Sequence, residues 1–169
     1  MFTDIRWWTP LFQAIWYNHD NDTELIQLLL DSGAEMRVGD VEVSGSTTAL
    51  HIAALKGNLK LVEYFWNLTD DKEPINNLRR NSVTPIYYAV QGNHLPVVEF
   101  FIEKGYNLEG PGQYNVSRSS NPLIIYALLG CDDEMVKFLI DKVQDKCPSN
   151  SDGLNVLHLA ASKNLQLGL

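Results

Sequence analysis

Residues 48–66 read TALHIAALKGNLKLVEYFW. The stretch predicts one helix, a tight reversal and a second helix running back. Thr48 is an N-cap residue, whose hydroxyl suits an unpaired backbone N–H of the first turn. Leu50, Ala53 and Ala54 form a single apolar stripe with small side chains, so a neighbour packs close, and Leu50 is expected to be fully buried. Gly57 is the stop, because helices commonly end on a residue in the left-handed region, which Gly and Asn enter at little cost. Leu61, Val62, Tyr64, Phe65 and Trp66 then make a second helix too apolar for one buried stripe. It needs cover on two sides, which one helix pair cannot supply, so the unit should recur.

The start signal returns as Thr9-Pro10-Leu11, Thr48-Ala49-Leu50, Thr84-Pro85-Ile86, Asn121-Pro122-Leu123 and Asn155-Val156-Leu157, at steps of 39, 36, 37 and 34 residues. Pro suits the first helical position, where its missing N–H is no loss. Nine residues after each start stands Asn18, Gly57, Asn93, Gly130 or Asn164, a Gly or Asn every time. The second-helix pattern recurs from Leu25 to Leu30, from Val97 to Ile102 and from Met135 to Ile140.

The segments TALHIAALKGN, TPIYYAVQGNH and NVLHLAASKN resemble ankyrin repeats, whose period is about 33 residues and whose signature is T-P-L-H-x-A. The resemblance covers nearly the whole chain. It implies an all-α solenoid of helix pairs joined by hairpin-like fingers, about five repeats with the last incomplete. The chain 1–169 then forms one domain, with repeats near 5–40, 44–75, 80–110, 117–147 and 151–169. Phe12, Tyr87 and Ile124 replace the signature His, and Tyr126 replaces a signature Ala. The excess length falls between helices, including a single extra residue near Cys131, and insertions in a stacked array map to loops.

Composition bounds the function. The chain is 45% apolar and carries a net charge of −8, which argues against nucleic acid as the main partner. No run approaches the roughly 20 apolar residues that span a bilayer, and the opening MFTDIRWW lacks the apolar core of a secretory signal. Cys131 and Cys147 are too few for a disulfide scaffold, which favours reduced thiols in the cytoplasm, or else the nucleus. All arginines, Arg6, Arg37, Arg79, Arg80 and Arg118, fall in the predicted fingers, while most acids sit on helices and their connecting loops. Acidic clusters such as Asp132-Asp133-Glu134 lie at second-helix starts, where they offset the helix dipole. The last repeat lacks a second helix, and Phe2, Ile5, Trp7 and Trp8 precede the first. Both features suit a segment of a longer protein.

No catalytic constellation is present. His51 and His158 occupy the signature position, where the resemblance implies that the ring holds the start of the helix pair. His19 and His94 follow a stop residue and are expected to face solvent. No His or Cys pair has metal-ligand spacing, and the acids after Cys131 disfavour a thiolate. Neither a P-loop nor a G-x-S-x-G motif occurs. The three Asn-x-Ser/Thr sequons matter only in a secreted protein. These observations imply no enzyme, no cofactor and no metal.

What remains is binding. The resemblance implies a concave partner surface made of finger tips and the exposed side of each first helix. Carried onto this sequence, the partner-binding residues are Arg6, Trp8, Trp16 and Tyr17 in repeat one, and Thr47, Leu55 and Lys56 in repeat two. Repeat three supplies Arg80, Val83 and Gln91, and repeat four Arg118, Leu128 and Leu129. Trp16, Tyr17, Leu55, Leu128 and Leu129 are expected to be exposed together, since apolar clusters of this kind mark interaction sites. Trp16 and Tyr17 have another reading, as a makeshift cap over the open end of repeat one. The arginine rim favours a protein or peptide partner with carboxylates. The expected function is a non-enzymatic interaction scaffold. The alternative is an ankyrin segment of a channel, adaptor or bacterial effector whose activity lies elsewhere.

Overall fold

The computed structural model describes residues 9–18, 23–38, 47–69, 84–106, 108, 122–144, 148–149 and 153–163. The described chain is helical. Helices α1 (Pro10–Trp16) and α2 (Glu24–Asp31) form the first pair, and α3 (Ala49–Lys56) and α4 (Leu59–Leu68) the second. Helices α5 (Pro85–Gln91) and α6 (Leu95–Glu103) follow, then α7 (Leu123–Gly130) and α8 (Asp133–Lys142), and last α9 (Val156–Lys163). The first helices α1, α3, α5, α7 and α9 stack side by side in chain order, and each second helix packs on the first helix of its own pair. The only strands among the described residues are β1 (Arg37–Val38) and β2 (Thr47–Thr48), paired antiparallel as Arg37 with Thr48 and Val38 with Thr47. They form the base of one finger. A lone antiparallel bridge joins Ser149 to Asn155 ahead of α9.

The start signals act locally. The Phe12 N–H donates to Thr9 Oγ1 at 3.4 Å, and Pro10 opens α1. At α3 the backbone N–H of Thr48 donates to His51 Nδ1 at 3.1 Å, and the Thr48 hydroxyl lies 2.7 Å from the same nitrogen. The His therefore fastens the helix start, and His158 does the same with Asn155 at 2.7 Å. Helix α7 departs from the pattern. Pro122 is its cap residue rather than its first helical one, so α7 begins one residue later than the start signal predicts.

The stops are less uniform than their sequence. Gly57 has φ +70° and Asn93 has φ +58°, both left-handed as expected. Asn18 is not left-handed, and Gly130 is the last residue of α7, with Cys131 beyond it extended. Cys131 and Asp132, both extended, carry that reversal, so no left-handed residue stands there. Asn164 lies outside the described residues.

The core runs the length of the stack and alternates between two sides of each first helix. Residues two, three and six after each start face the next helix: Leu11, Phe12 and Ile15 in α1, Ile86, Tyr87 and Val90 in α5, and Leu123, Ile124 and Ala127 in α7 are all buried. Residues one and four after the start face the previous helix, as Ala49 and Ile52 do in α3 and Val156 and Leu159 in α9. Leu50 breaks this rule. It is half-buried, not fully buried as expected. The His51 and Tyr88 rings meet edge-on at 5.1 Å between α3 and α5. Tyr88 is bulkier than the Ile at its equivalents Ile52 and Ile125.

The second helices differ: α2 buries only Ile26 and leaves Leu25 and Leu28 exposed, short of the two-sided cover expected from its composition. In α4, Leu61, Val62, Phe65 and Trp66 are buried. Trp66 stacks edge-on against Phe100 of α6 at 5.7 Å, a geometry that aromatic quadrupoles favour. The Tyr64 hydroxyl of α4 donates to the Gln27 side-chain oxygen of α2.

Candidate binding surface

The surface expected from the sequence centres on the last turns of the first helices. Tyr17 ends α1 and is 69% exposed, and Leu129 in the last turn of α7 is 53% exposed. Gln91 at the end of α5 is also exposed, while Thr47, Trp16, Leu55 and Lys56 are half-buried. Trp16 does not fold over the open end of the stack. Lys56 Nζ stands 4.5 Å above its ring, which places Trp16 towards the next helix, α3. Such a cation–π contact holds the ammonium over the ring while leaving its outer side to solvent. Arg6, Trp8, Arg80, Val83 and Arg118 lie outside the described residues.

Leu128 does not belong to this surface. It is fully buried. Residues three and four apart on a helix share a face, and Leu128 follows the buried Ile125 and Ile124 by three and four. Leu55 stands in the same relation to Ile52 and His51, and is half-buried for that reason. Seven after their starts, Trp16 and Leu55 are half-buried and Leu128 buried, whereas Gln91 is exposed; one residue further on, Tyr17 and Leu129 are exposed and Lys56 and Gly92 half-buried.

A second set of contacts ties neighbouring pairs together, and sequence reasoning missed it. His94 does not simply face solvent. Its Nε2 lies 2.9 Å from the Leu55 carbonyl oxygen of α3. The ring fills the space beside two glycines. A Cβ on Gly57 would come within 2.3 Å of His94 Nδ1, and one on Gly92 within 2.4 Å of the Leu55 carbonyl oxygen. Gly92 is therefore required by the close approach of two backbones rather than by its own dihedrals. One pair further on, the Cys131 thiol donates to the Val90 carbonyl at 3.0 Å, and the Asn93 amide donates to Asp132 Oδ2. The Met135 N–H donates to Asp132 Oδ1 at 3.0 Å and caps α8. The Met135 N–H, and after it the Asn93 amide, hold the Asp132 carboxyl below its ordinary range. The signal available in the sequence was the spacing: His94 and Cys131 both stand ten residues after their start, with glycine two before His94.

Tyr106 closes the far side of the third pair. Its hydroxyl lies 2.6 Å from Thr84 Oγ1. Burial pushes its pKa up to about 12, against the opposing effect of the Thr84 hydrogen bond.

Chemically, these polar side chains hold the stack together. His51, His94 and His158 each engage a neighbouring group of the chain. Among the described residues no three His, Cys, Asp or Glu cluster as metal ligands would, and no helix is long and apolar enough to cross a membrane. No curated protein matches the chain. The family model for ankyrin repeats in three copies matches residues 11–112, which takes in α1 to α6. Ankyrin repeats are generally protein–protein interaction modules, and the family is typically non-enzymatic. With its stacked helix pairs, its His-fastened helix starts and a match over more than half its length, the chain belongs to the ankyrin-repeat family.

Proposed function

We propose that this chain is a non-catalytic scaffold that grips an extended protein or peptide segment along the ends of its first helices and the adjoining fingers. The observation that carries the reading is the repeated exposure of an apolar group at one position. Tyr17 in the first helix of the stack and Leu129 in the fourth are both large, exposed and unneeded by the core. Three helix-to-helix steps separate them, about 24–30 Å at the usual 8–10 Å per step. An extended segment of about eight residues spans that distance. Between these anchors lie Trp16 with Lys56, then Leu55, Thr47 and Gln91, a mixed surface of the kind that fixes register. Lys56, with Arg6, Arg80 and Arg118 of the fingers, favours carboxylates on the partner, and Trp8 and Val83 extend the apolar contact. Leu128 has no part in it. The net charge of −8 speaks for a protein rather than a nucleic-acid partner, and the low cysteine content for a cytoplasmic or nuclear setting. The same surface serves if these residues act as the ankyrin segment of a channel, adaptor or effector.

Panning a peptide display library against the chain tests this. Recovered binders should be enriched in Asp and Glu, and Tyr17→Ala or Leu129→Ser should each weaken them by about 1–3 kcal/mol with thermal unfolding unchanged. Arg80→Ala should lower the association rate and its salt dependence. Binders that survive both apolar substitutions, or whose amide-exchange footprint falls on α4 and α6, would remove the reading.

A further inference from the structure

In the four helix pairs, the residue eight after the start is Tyr17, Lys56, Gly92 or Leu129. Tyr17 and Leu129 are exposed apolar groups, and Gly92 brings no side chain. Lys56 is the charged member of the four. Its ammonium stands 4.5 Å above the Trp16 ring of the neighbouring helix, and no carboxylate among the described residues pairs with it. Lys104 and Lys142 also lie over rings, at 5.2 and 5.5 Å, but those rings are Phe100 and Phe138, each one turn back on the same helix. Such pairs are ordinary helix neighbours. The Trp16 contact differs, because it holds the Lys56 ammonium between two helices of the stack. A lysine held so has given up part of its rotamer freedom before any partner arrives, and that lowers the cost of binding.

We infer that Lys56 is the specificity-determining residue of the proposed partner surface, and that the segment it selects carries one Asp or Glu set off-centre between two apolar anchors. This rests on Tyr17 and Leu129 forming that surface, as proposed above. Tyr17, Lys56 and Leu129 hold the same position on the first, second and fourth first-helices. One helix step is about 8–10 Å, and an extended residue covers about 3.3 Å. The acid therefore lies about three residues from the anchor that meets Tyr17 and about five or six from the one that meets Leu129. Charge complementarity names the occupant, since an ammonium without a carboxylate of its own is completed by one from the partner. Lys56 and Trp16 are both half-buried, so water screens a pair formed there less than it screens two freely exposed charges. An ammonium is a point charge without the directional fork of Arg, so Asp and Glu both suit it.

Two pannings of one library test this. Random peptides of about 12 residues, long enough to pass both anchors, are displayed against the parent chain and against Lys56→Glu. Parent binders should carry Asp or Glu at the off-centre place. Binders of Lys56→Glu should carry Lys or Arg there, with both apolar anchors kept. Lys56→Gln guards against a charge reversal that unsettles the helix. A parent-selected peptide should lose about three- to tenfold in affinity on Lys56→Gln. The same peptide with its acid changed to the amide should bind both chains alike, a coupling that misfolding would not produce. Binders that need Tyr17 and Leu129 but show no acid at that place, no reversal on Lys56→Glu or no coupling to Lys56→Gln would overturn the inference and leave the surface standing. Binders indifferent to Tyr17→Ala and Leu129→Ser would remove the surface itself, and the inference with it.

Discussion

The reversal between α3 and α4 and the reversal between α7 and α8 do the same job by different means. In the first, Gly57 takes a left-handed conformation at φ +70° and gives its N–H to the carbonyls of Ala53 and Ala54. Asn58 then caps α4 through Oδ1, which accepts from the Leu61 N–H at 3.1 Å. Two residues complete the turn. The second also has two residues, Cys131 and Asp132, but α7 as a whole stands one residue later after its start signal than α3 does. Gly130 stays helical with open space around it, Cys131 is extended, and Asp132 caps α8. The difference teaches what a tight turn demands. In the α3–α4 reversal, where Gly57 itself turns the chain, the glycine is fixed twice, by its backbone and by the His94 ring lying against it. In the α7–α8 reversal the two residues are extended, neither constraint falls on Gly130, and the cross-pair bonds are those of Asn93, Cys131 and Asp132.

The largest expected effect separates the last turns that precede these reversals. Leu128 is wholly buried, so Leu128→Ala should cost about 2–5 kcal/mol in a urea titration. Leu55 holds the equivalent place half-buried, and Leu55→Ala should cost about half as much, since the penalty follows the apolar area lost. Equal penalties would mean that the two helices present the same face, and the comparison would fail.

The glycines come next, and they should differ in sign. Gly57→Val should lose about 2–3 kcal/mol, because a β-branched residue in the left-handed region costs roughly 1–3 and its Cβ also displaces the His94 ring. Gly130→Ala meets nothing within 4 Å and sits in a helix. It should gain up to about 0.5–1 kcal/mol from the reduced freedom of the unfolded chain. Thermal melts of the two variants, shifted in opposite directions from the parent, are the result to look for.

These contrasts also mark what was legible in the sequence. The helix starts were, because a cap is a bond between residues three apart: Thr9 with Phe12, Thr48 with His51, Asn155 with His158. Gly57 and Asn93 were legible as left-handed stops, and Gly130 was not, because one inserted residue changes its dihedral without changing its identity. The inward lean of Leu128 follows from helical spacing after Ile124 and Ile125, and the resemblance drew attention away from it. His94 is different in kind. Its partner, the Leu55 carbonyl, is 39 residues away, and no local pattern announces a ring seated beside two glycines. The exposed Tyr17 and Leu129 were legible, whereas the half-burial of Leu50 was not, because burial of a stacking residue is set by the neighbouring pair and not by its own helix.

His94→Ala probes the contact that the two reversals do not share. It leaves the Leu55 carbonyl without its ring partner and opens a space beside Gly57. The expected cost is about 1–2 kcal/mol. Gly57→Ala should then be cheaper in the His94→Ala background than in the parent, because only the left-handed penalty remains. Residues in direct contact couple by about 0.5–3 kcal/mol in such a cycle. Strict additivity would show that the ring does not rest on the glycine.

The smallest effect distinguishes the two caps by charge. Asn58 and Asp132 accept the same kind of bond, from Leu61 N–H and Met135 N–H, but only Asp132 titrates. Its carboxyl is held below its ordinary value of 3.8, first by the Met135 N–H and then by the Asn93 amide. A group whose pKa is depressed by folding adds stability in full above its unfolded value and loses it as pH falls through the folded one. The contribution of Asp132 should therefore be complete at pH 5 and fade below about pH 4, while Asn58 contributes equally throughout. Asp132→Asn keeps an acceptor for Met135 and removes the titration. Urea midpoints of parent and variant should stand apart at pH 5 and draw together as the pH drops towards 3. Because Asp132 is exposed, solvent screens it and the gap should be small and reduced further by salt. A gap that stays constant across that range would mean that the cap works through geometry alone, in Asp132 as in Asn58.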